Sequence, residues 1–190
     1  VEPEAYVADW NDPGRDAWQK PEEIVAALAL RPGDTVVDLG AGTGYLVPAL
    51  AAAVGPAGSV VAADLEPAML RFLEAAAAKA GWANVRTQLT TADDPGLAPA
   101  SVRGVVALNV WHHIEGREAY AARVAAGLQP GGALVIVDFL PEVTEGSGPP
   151  LEMRLSAEQV VRELTAGGLV AQVVGETMPR HYVVRGVKPG

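Results

Sequence analysis

Val36-Val37-Asp38-Leu39-Gly40-Ala41-Gly42-Thr43-Gly44-Tyr45, VVDLGAGTGY, is the stretch on which the fold turns. A short apolar run with one acid is the pattern of a strand buried on both faces. Three glycines in five residues follow it, and residues 46–54 then read as a helix. Glycine admits positive φ and lets a ligand approach the main chain, and a helix N-terminus offers outward N–H groups. In open α/β sheets this place, beyond the carboxyl end of a strand, is where nucleotides bind. The spacing is GxGxG rather than the GxGxxG of dinucleotide binders. Asp38 stands two residues before the first glycine, where a carboxylate repels a pyrophosphate and suits a cation. The plain alternative is a tight turn without a ligand, which three glycines beside a strand-end acid disfavour.

Outward from this turn, strands and helices alternate. Pro21-Glu22-Glu23 opens a helix, with proline in the first turn and acids at its positive end; Arg31-Pro32-Gly33 stops it. Strands are expected at 35–39, 59–63, 85–89, 102–110 and 133–139. Helices are expected at 66–80, with Gly81 as its cap, and at 116–128, ended by Gln129-Pro130-Gly131-Gly132. Another spans 156–166 behind a Ser156…Gln159 capping box. Residues 170–174 and 182–187 form two closing strands with no helix between them, so one must pair antiparallel. The pattern is α/β, a mostly parallel doubly wound sheet in one domain, residues 1–190. Residues 1–20 form a polar, aromatic, turn-rich N-terminal segment before the core at 21–190. Residues 141–150, PEVTEGSGPP, are the longest irregular loop, a common place for function.

Composition narrows the chemistry. With 190 residues, 49% of them hydrophobic, the chain is one soluble domain, able to bury about 70% of its unfolded surface. A net charge of −9 and no basic stripe exclude free nucleic acid as a partner. The absence of cysteine excludes disulfides, thiolate metal sites and cysteine nucleophiles. No apolar run reaches the roughly 20 residues of a membrane span. No signal peptide is seen and a cytoplasmic location is expected, although a chain starting at Val1 reads as a processed or trimmed form.

Asp64 ends the second strand, in VVAADLEPAML. A carboxylate there can take both hydroxyls of a ribose, or cap the following helix. Together, VVDLGAGTGY, ADLEPAML, LNVWHHI and LQPGGALVIVDF resemble the motifs of class I S-adenosylmethionine-dependent methyltransferases. The resemblance runs from about Arg15 to Val187, and residues upstream of the glycines are similar to small ubiquinone/menaquinone-type members. It implies a Rossmann-like sheet of order 3-2-1-4-5-7-6 with strand 7 antiparallel, and the cofactor S-adenosylmethionine with product S-adenosylhomocysteine. By position, Gly40, Ala41, Gly42 and Gly44 would pass beneath the methionine part and Asp38 would fix its ammonium. Asp64 would hold the ribose. Leu65 and Met69 would meet adenine, Met69 being as readily plain helix core. Ala92 and Asp93, with Asp94 close behind, would reach the adenine amino group or else sit in a solvated turn. Asn109 would line the methyl-donor end. One departure from the family pattern is Val102-Arg103-Gly104, where the fourth strand commonly opens on an acid.

Methyl transfer from a sulfonium needs mainly binding, orientation and exclusion of water, with a base where the acceptor carries a proton. His112 and His113 are the candidates, in NVWHHIEG, with Trp111 expected to wall the pocket; the alternative is one loop-bonded histidine and one in solvent. No metal site is expected, because adjacent histidines rarely face one ion. The acceptor is expected to be a small molecule, held by the N-terminal segment (Tyr6, Trp10, Arg15, Trp18, Gln19) and by the 141–150 loop with Glu152 and Arg154. The segment would fold over the cofactor as a lid, or its tryptophans would simply pack on the sheet. Arg154 would anchor an acidic acceptor or make a surface salt bridge. The absence of cysteine sets aside arsenic methylation, and "NVWH" is not the motif of DNA amino-methyltransferases. The expected assembly is a monomer or homodimer. A non-catalytic module that binds or senses the cofactor remains the rival reading.

Overall fold

The computed structural model describes residues 2–143 and 148–190. Seven strands form one sheet: β1 (Thr35–Leu39), β2 (Ser59–Asp64), β3 (Val85–Leu89), β4 (Val102–Leu108), β5 (Leu128–Phe139), β6 (Val170–Val174) and β7 (His181–Val187). Their order is β3-β2-β1-β4-β5-β7-β6, and only β7 runs against its neighbours β5 and β6. The parallel pairs demand crossovers, and the helices supply them. They are α1 (Glu4–Trp10), α2 (Asp16–Gln19), α3 (Pro21–Leu28), α4 (Val47–Val54), α5 (Pro67–Ala80), α6 (Arg117–Gly127) and α7 (Ala157–Ala166).

Alternation along each strand divides the core into two layers. Val36, Val60, Val106, Val135 and Val183 face Ile24 and Leu28 of α3 and Leu50 of α4. Val37, Val105, Leu134, Ile136 and Val184 face Tyr120 and Val124 of α6 and Leu164 of α7. Each such side chain, fully buried, stabilises the fold by about 1.5–3 kcal/mol. Gly104 lies under Leu28 and Leu30, whose methyls would stand 3.1 and 3.2 Å from an added Cβ. The departure from the family pattern thus seats α3 close to the sheet.

The expected element order holds, with four local corrections. The N-terminal segment is more helical than its turn-rich composition implies. The turn signal at Asn11–Gly14 marks only the break between α1 and α2, where Asp12 Oδ1 accepts from Gly14 N at 2.9 Å. β4 stops at Leu108, two residues early, because Asn109 takes φ 59° and leaves the extended region. β5 starts five residues before the expected 133: Gln129-Pro130-Gly131-Gly132 is a bulge within it, Val102 facing Leu128 and Gly104 facing Ala133. The capping box is half formed, since Ser156 Oγ accepts from Gln159 N at 3.2 Å while the Gln159 amide turns to Glu163. Gly81 caps α5 in the left-handed conformation.

Candidate active site

The parallel register brings the carboxyl ends of β1, β2 and β4 to one edge, with the glycine turn at its centre. Gly40, Gly42 and Gly44 have φ of 70°, 53° and 84°, a region costly to side chains. Two of them also serve packing, since a Cβ would lie 2.4 Å from Val110 Cγ2 at Gly40 and 2.4 Å from Leu73 Cδ2 at Gly44. At Gly42 the nearest neighbour is Trp10, 3.1 Å away, from the N-terminal segment. Gly40 N and Ala41 N donate to Ala63 O at 2.8 and 3.0 Å, tying the turn to β2.

Two carboxylates flank this turn. Asp64 is buried; its Oδ2 accepts from Gly42 N at 2.8 Å and its Oδ1 from Glu66 N at 2.9 Å. It therefore shapes both the turn and the entry to α5, and each oxygen keeps a lone pair for a further donor. Asp38 is buried without a hydrogen-bond partner among the described residues. Burial, and then the Asp64 charge, push its pKa up to about 7, against the pull of Arg15. A buried carboxylate lacking donors fits the ammonium of a cationic ligand, and the bare face of Gly42 fits close approach of its chain.

The N-terminal segment is fastened to the same turn. Asn11 Nδ2 donates to Thr43 O at 3.0 Å, and Thr43 Oγ1 donates to Asn11 Oδ1 at 2.7 Å. Tyr45 Oη donates to Asp16 Oδ1 at 2.7 Å. The Arg15 guanidinium lies 4.0 Å over the Tyr45 ring and bonds Trp10 O and Gln19 Oε1. Tyr6 packs at a tilt of 36° on Trp10, ring centroids 4.5 Å apart, and Gln19 is buried with its amide on Met178 Sδ. Trp18 lies against His181.

Beyond β4, a short 3-10 turn, Trp111–His113, presents the paired histidines differently. His112 is buried, and its Nδ1 lies 2.8 and 2.9 Å from the two oxygens of Asp138 at the end of β5. The same carboxylate accepts from His112 N and Phe139 N. His113 faces solvent beside it, ring centroids 4.1 Å apart. Lost hydration, then neighbouring His112, hold the His113 pKa below its ordinary value. Trp111 does not wall a pocket: it is fully buried, edge-on to Tyr120, and donates from Nε1 to Glu163 Oε2 at 2.9 Å. Glu163 also pairs with Arg117 Nε at 2.9 Å, so α7 anchors the histidine loop.

The remaining expected positions are dispersed. Leu65 is 55% exposed beside Asp64, an open apolar face, whereas Met69 is 3% exposed and packs inward from α5. Ala92 and Asp93 stand in an exposed turn where Asp93 accepts from Thr91 Oγ1 at 2.9 Å and Asp94 from Gly96 N at 2.7 Å. Asn109 follows the end of β4, with its amide oxygen 2.9 Å from His181 Nε2. Arg154 makes no salt bridge among the described residues; it donates to the carbonyls of Leu140, Val143 and Pro149, clasping the two ends of the 141–150 loop. Residues 144–147 of that loop lie outside the described residues. Asp138, Glu163 and His181 escaped the sequence reading. Asp138 carried a usable signal, the lone acid in an apolar strand that also marks Asp38. Among the described residues no group of three or more His, Asp or Glu side chains could hold a metal ion, and no helix is long and apolar enough to cross a membrane.

Comparison with known proteins agrees with this geometry. Residues 36–132, half of the chain, match a family described as a methyltransferase domain. The chain is 31% identical over 163 residues to nocamycin O-methyltransferase of Saccharothrix syringae, covering 84% of this chain and 54% of that protein. It is 34% identical over 116 residues to a ubiquinone/menaquinone biosynthesis C-methyltransferase of Ectopseudomonas mendocina, covering 58% and 43%. The chain thus spans about half the length of these curated relatives. The crystal structure of a SAM-dependent methyltransferase from Aquifex aeolicus superposes with a TM-score of 0.89 at 25% identity, over 99% of both chains. A family match across half the chain, on the sheet order that the resemblance implied, makes this chain a member of the class I S-adenosylmethionine-dependent methyltransferases.

Proposed function

We propose that the chain methylates a hydroxyl group on a small molecule, with His112 as the base and Asp138 as the residue that orients it. The observation that carries this reading is the buried pairing of His112 Nδ1 with both Asp138 oxygens. Asp138 accepts the Nδ1 proton, which leaves Nε2 as the ring's free acceptor. Asp138 also stabilises the imidazolium formed when Nε2 takes a proton. His113 flanks the loop, and Glu163, through Trp111 and Arg117, holds the loop in place.

Asp38, Gly40, Ala41, Gly42, Gly44 and Asp64 would hold S-adenosylmethionine, with Leu65 beside the adenine and Ala92 and Asp93 at its edge. When bound, the cofactor supplies an electrophilic methyl group. With the cofactor bound, the acceptor oxygen would form the new carbon–oxygen bond as the carbon–sulfur bond breaks, and the hydroxyl proton would pass to His112 Nε2. The N-terminal segment is the lid of this site, because its hydrogen bonds end on Thr43 and Tyr45 of the glycine turn. Closed there, it excludes water from a reaction that needs orientation more than acid–base strength.

The test is S-adenosylhomocysteine release from S-adenosylmethionine across a panel of hydroxylated small acceptors. Turnover that His112→Ala lowers about 10²–10⁴-fold, with S-adenosylhomocysteine affinity kept, supports the assignment. Cofactor binding with no turnover on any acceptor would favour the binding-module reading.

A further inference from the structure

His181 opens β7 directly opposite Phe139 of β5, on the sheet edge that carries the site. It is 0% exposed, and its imidazole is the most enclosed of the three in the chain. Nε2 lies 2.9 Å from Asn109 Oδ1, an oxygen that can only accept, so Nε2 carries the proton. Asn109 is itself held, its N donating to Val137 O at 2.8 Å with the backbone in the left-handed region. The tautomer leaves the lone pair on Nδ1, and Nδ1 is sealed from solvent without a hydrogen-bond partner. A buried acceptor left unpaired costs about 1–3 kcal/mol. A group left so has a physical reason: strain, a catalytic role, or a polar partner that binds there.

The cover over this ring is itself a flat aromatic. Trp18 lies with its ring plane 19° from the imidazole, centroids 5.9 Å apart, and Phe139, its cross-strand neighbour, lies tilted at 41° with its centroid 4.4 Å away. Trp18 belongs to α2, a helix of four residues that ends on Lys20 at φ 49°. Its ring also lies beneath the guanidinium of Arg180 at 4.9 Å, with that of Arg15 5.8 Å away. The indole is only partly buried and donates no hydrogen bond to Nδ1. It therefore covers the imidazole and leaves the polar requirement of Nδ1 unmet. A planar ring bearing a hydroxyl would meet both.

We propose that His181 and Trp18 mark the acceptor subsite: a planar aromatic alcohol bearing a second O–H or N–H on its ring enters by displacing Trp18, stacks between the imidazole and the lid, and donates that second hydrogen to His181 Nδ1, leaving the reacting hydroxyl for His112 Nε2. This deepens the methyltransferase reading above and rests on it for the reaction that follows. His181 is a binding residue and not the base. Burial, with Arg15, Arg180 and Arg154 opposing Asp138, holds its pKa down at about 4, so it stays neutral and accepting.

The test uses the whole chain labelled with ¹⁵N-histidine and saturated with S-adenosylhomocysteine, with phenol as probe and anisole, which has no hydrogen to donate, as control. The free protein should show His181 as the Nε2–H tautomer, unchanged between about pH 5 and pH 8. Phenol should move the Nδ1 resonance toward its hydrogen-bonded position and anisole should not. Trp18→Ala should tighten phenol binding, and His181→Phe should weaken it about tenfold while the S-adenosylhomocysteine-induced rise in Tm persists. An Nδ1–H tautomer, equal responses to phenol and anisole, or unchanged phenol affinity in His181→Phe would each overturn the proposal. The wild-type spectra decide it even if His181→Phe does not fold. A wild-type Tm that S-adenosylhomocysteine fails to raise would instead overturn the cofactor reading, and the phenol titration without it then judges His181 alone.

Discussion

His112 Nδ1 stands 2.8 Å from Asp138 Oδ1 and 2.9 Å from Oδ2, a buried pair that joins the loop after β4 to the end of β5. The two residues are 26 positions apart, and only the parallel pairing of β4 with β5 brings them together. The pair sets the proton on Nδ1 and leaves Nε2 free to accept, which the proposed role of His112 as base requires. Asp138→Asn should therefore lower methyl transfer by about 10²–10⁴-fold while S-adenosylhomocysteine affinity stays within about twofold. Steady-state turnover alongside calorimetric binding separates the two effects.

Asp38 predicts a pH-dependent exchange of stability for binding. Its pKa rises from an ordinary 3.8 to about 7 on folding. The folded chain therefore binds the proton more tightly, and stability from this group falls as pH rises from about 4 to about 7, by on the order of a few kcal/mol. Asp38→Asn should raise the Tm of the ligand-free protein above pH 7, and its Tm should meet the wild-type value near pH 4. S-adenosylhomocysteine affinity of the wild type should increase through pH 7 as Asp38 ionises, and the variant should bind at least about tenfold more weakly. Equal Tm values across the whole range would show that Asp38 is not strained by burial.

The three glycines should not respond alike to alanine. At Gly40 the new Cβ meets Val110 Cγ2 at 2.4 Å and φ is 70°, so Gly40→Ala should cost about 2–4 kcal/mol of folding stability. At Gly42 the only close neighbour is the Trp10 ring at 3.1 Å. Gly42→Ala should cost about 1–2 kcal/mol, the left-handed backbone being its main strain. Its larger effect should be on S-adenosylhomocysteine binding. Urea unfolding and ligand titration on both variants check the contrast.

Glu163 holds the histidine loop from α7 by accepting from Trp111 Nε1 and Arg117 Nε. Removing the carboxylate leaves the Trp111 donor buried and the guanidinium without its partner. Glu163→Ala should cost about 3 kcal/mol, lowering Tm by roughly 6–12 °C. Turnover of the folded fraction should also fall, because His112 loses its support. A thermal scan with a turnover measurement below the transition tests both.

The lid predicts coupling between the N-terminal segment and the cofactor. Asn11 and Thr43 exchange two hydrogen bonds, the only ones among the described residues that join α1's end to the turn. S-adenosylhomocysteine should slow proteolysis within residues 4–19, and Asn11→Ala should remove much of that protection. Identical cleavage rates with and without the ligand would rule out a lid.

The glycine turn, its flanking acids and the strand–helix alternation were all legible in the sequence, because each is a local signal. Buried strands read as apolar runs, glycine marks positive φ, and an acid in an apolar strand must have a reason. The antiparallel place of β7 was legible for the same reason, since no crossover helix separates it from β6. The short helices before Lys20 were not, because polar composition hides a segment whose order comes from Asn11, Asp16 and Arg15 meeting Thr43 and Tyr45 across the chain.

What the tertiary structure alone decided is which polar groups meet. From the sequence, His112 and His113 were equivalent neighbours; burial against Asp138 separates them. Trp111, placed by its motif at the pocket, belongs to the core because Glu163 arrives from α7 to satisfy its N–H. His181 carried no local signal at all, and it acquires its unpaired nitrogen only where β7 runs antiparallel to β5 and meets Asn109 and Trp18. Local conformation follows from neighbours in the chain, so the sequence by itself determined the sheet and the cofactor turn. The protonation and hydrogen bonding of a side chain follow from its surroundings in space, so the pairing of His112 with Asp138 and the setting of His181 were decided by the fold.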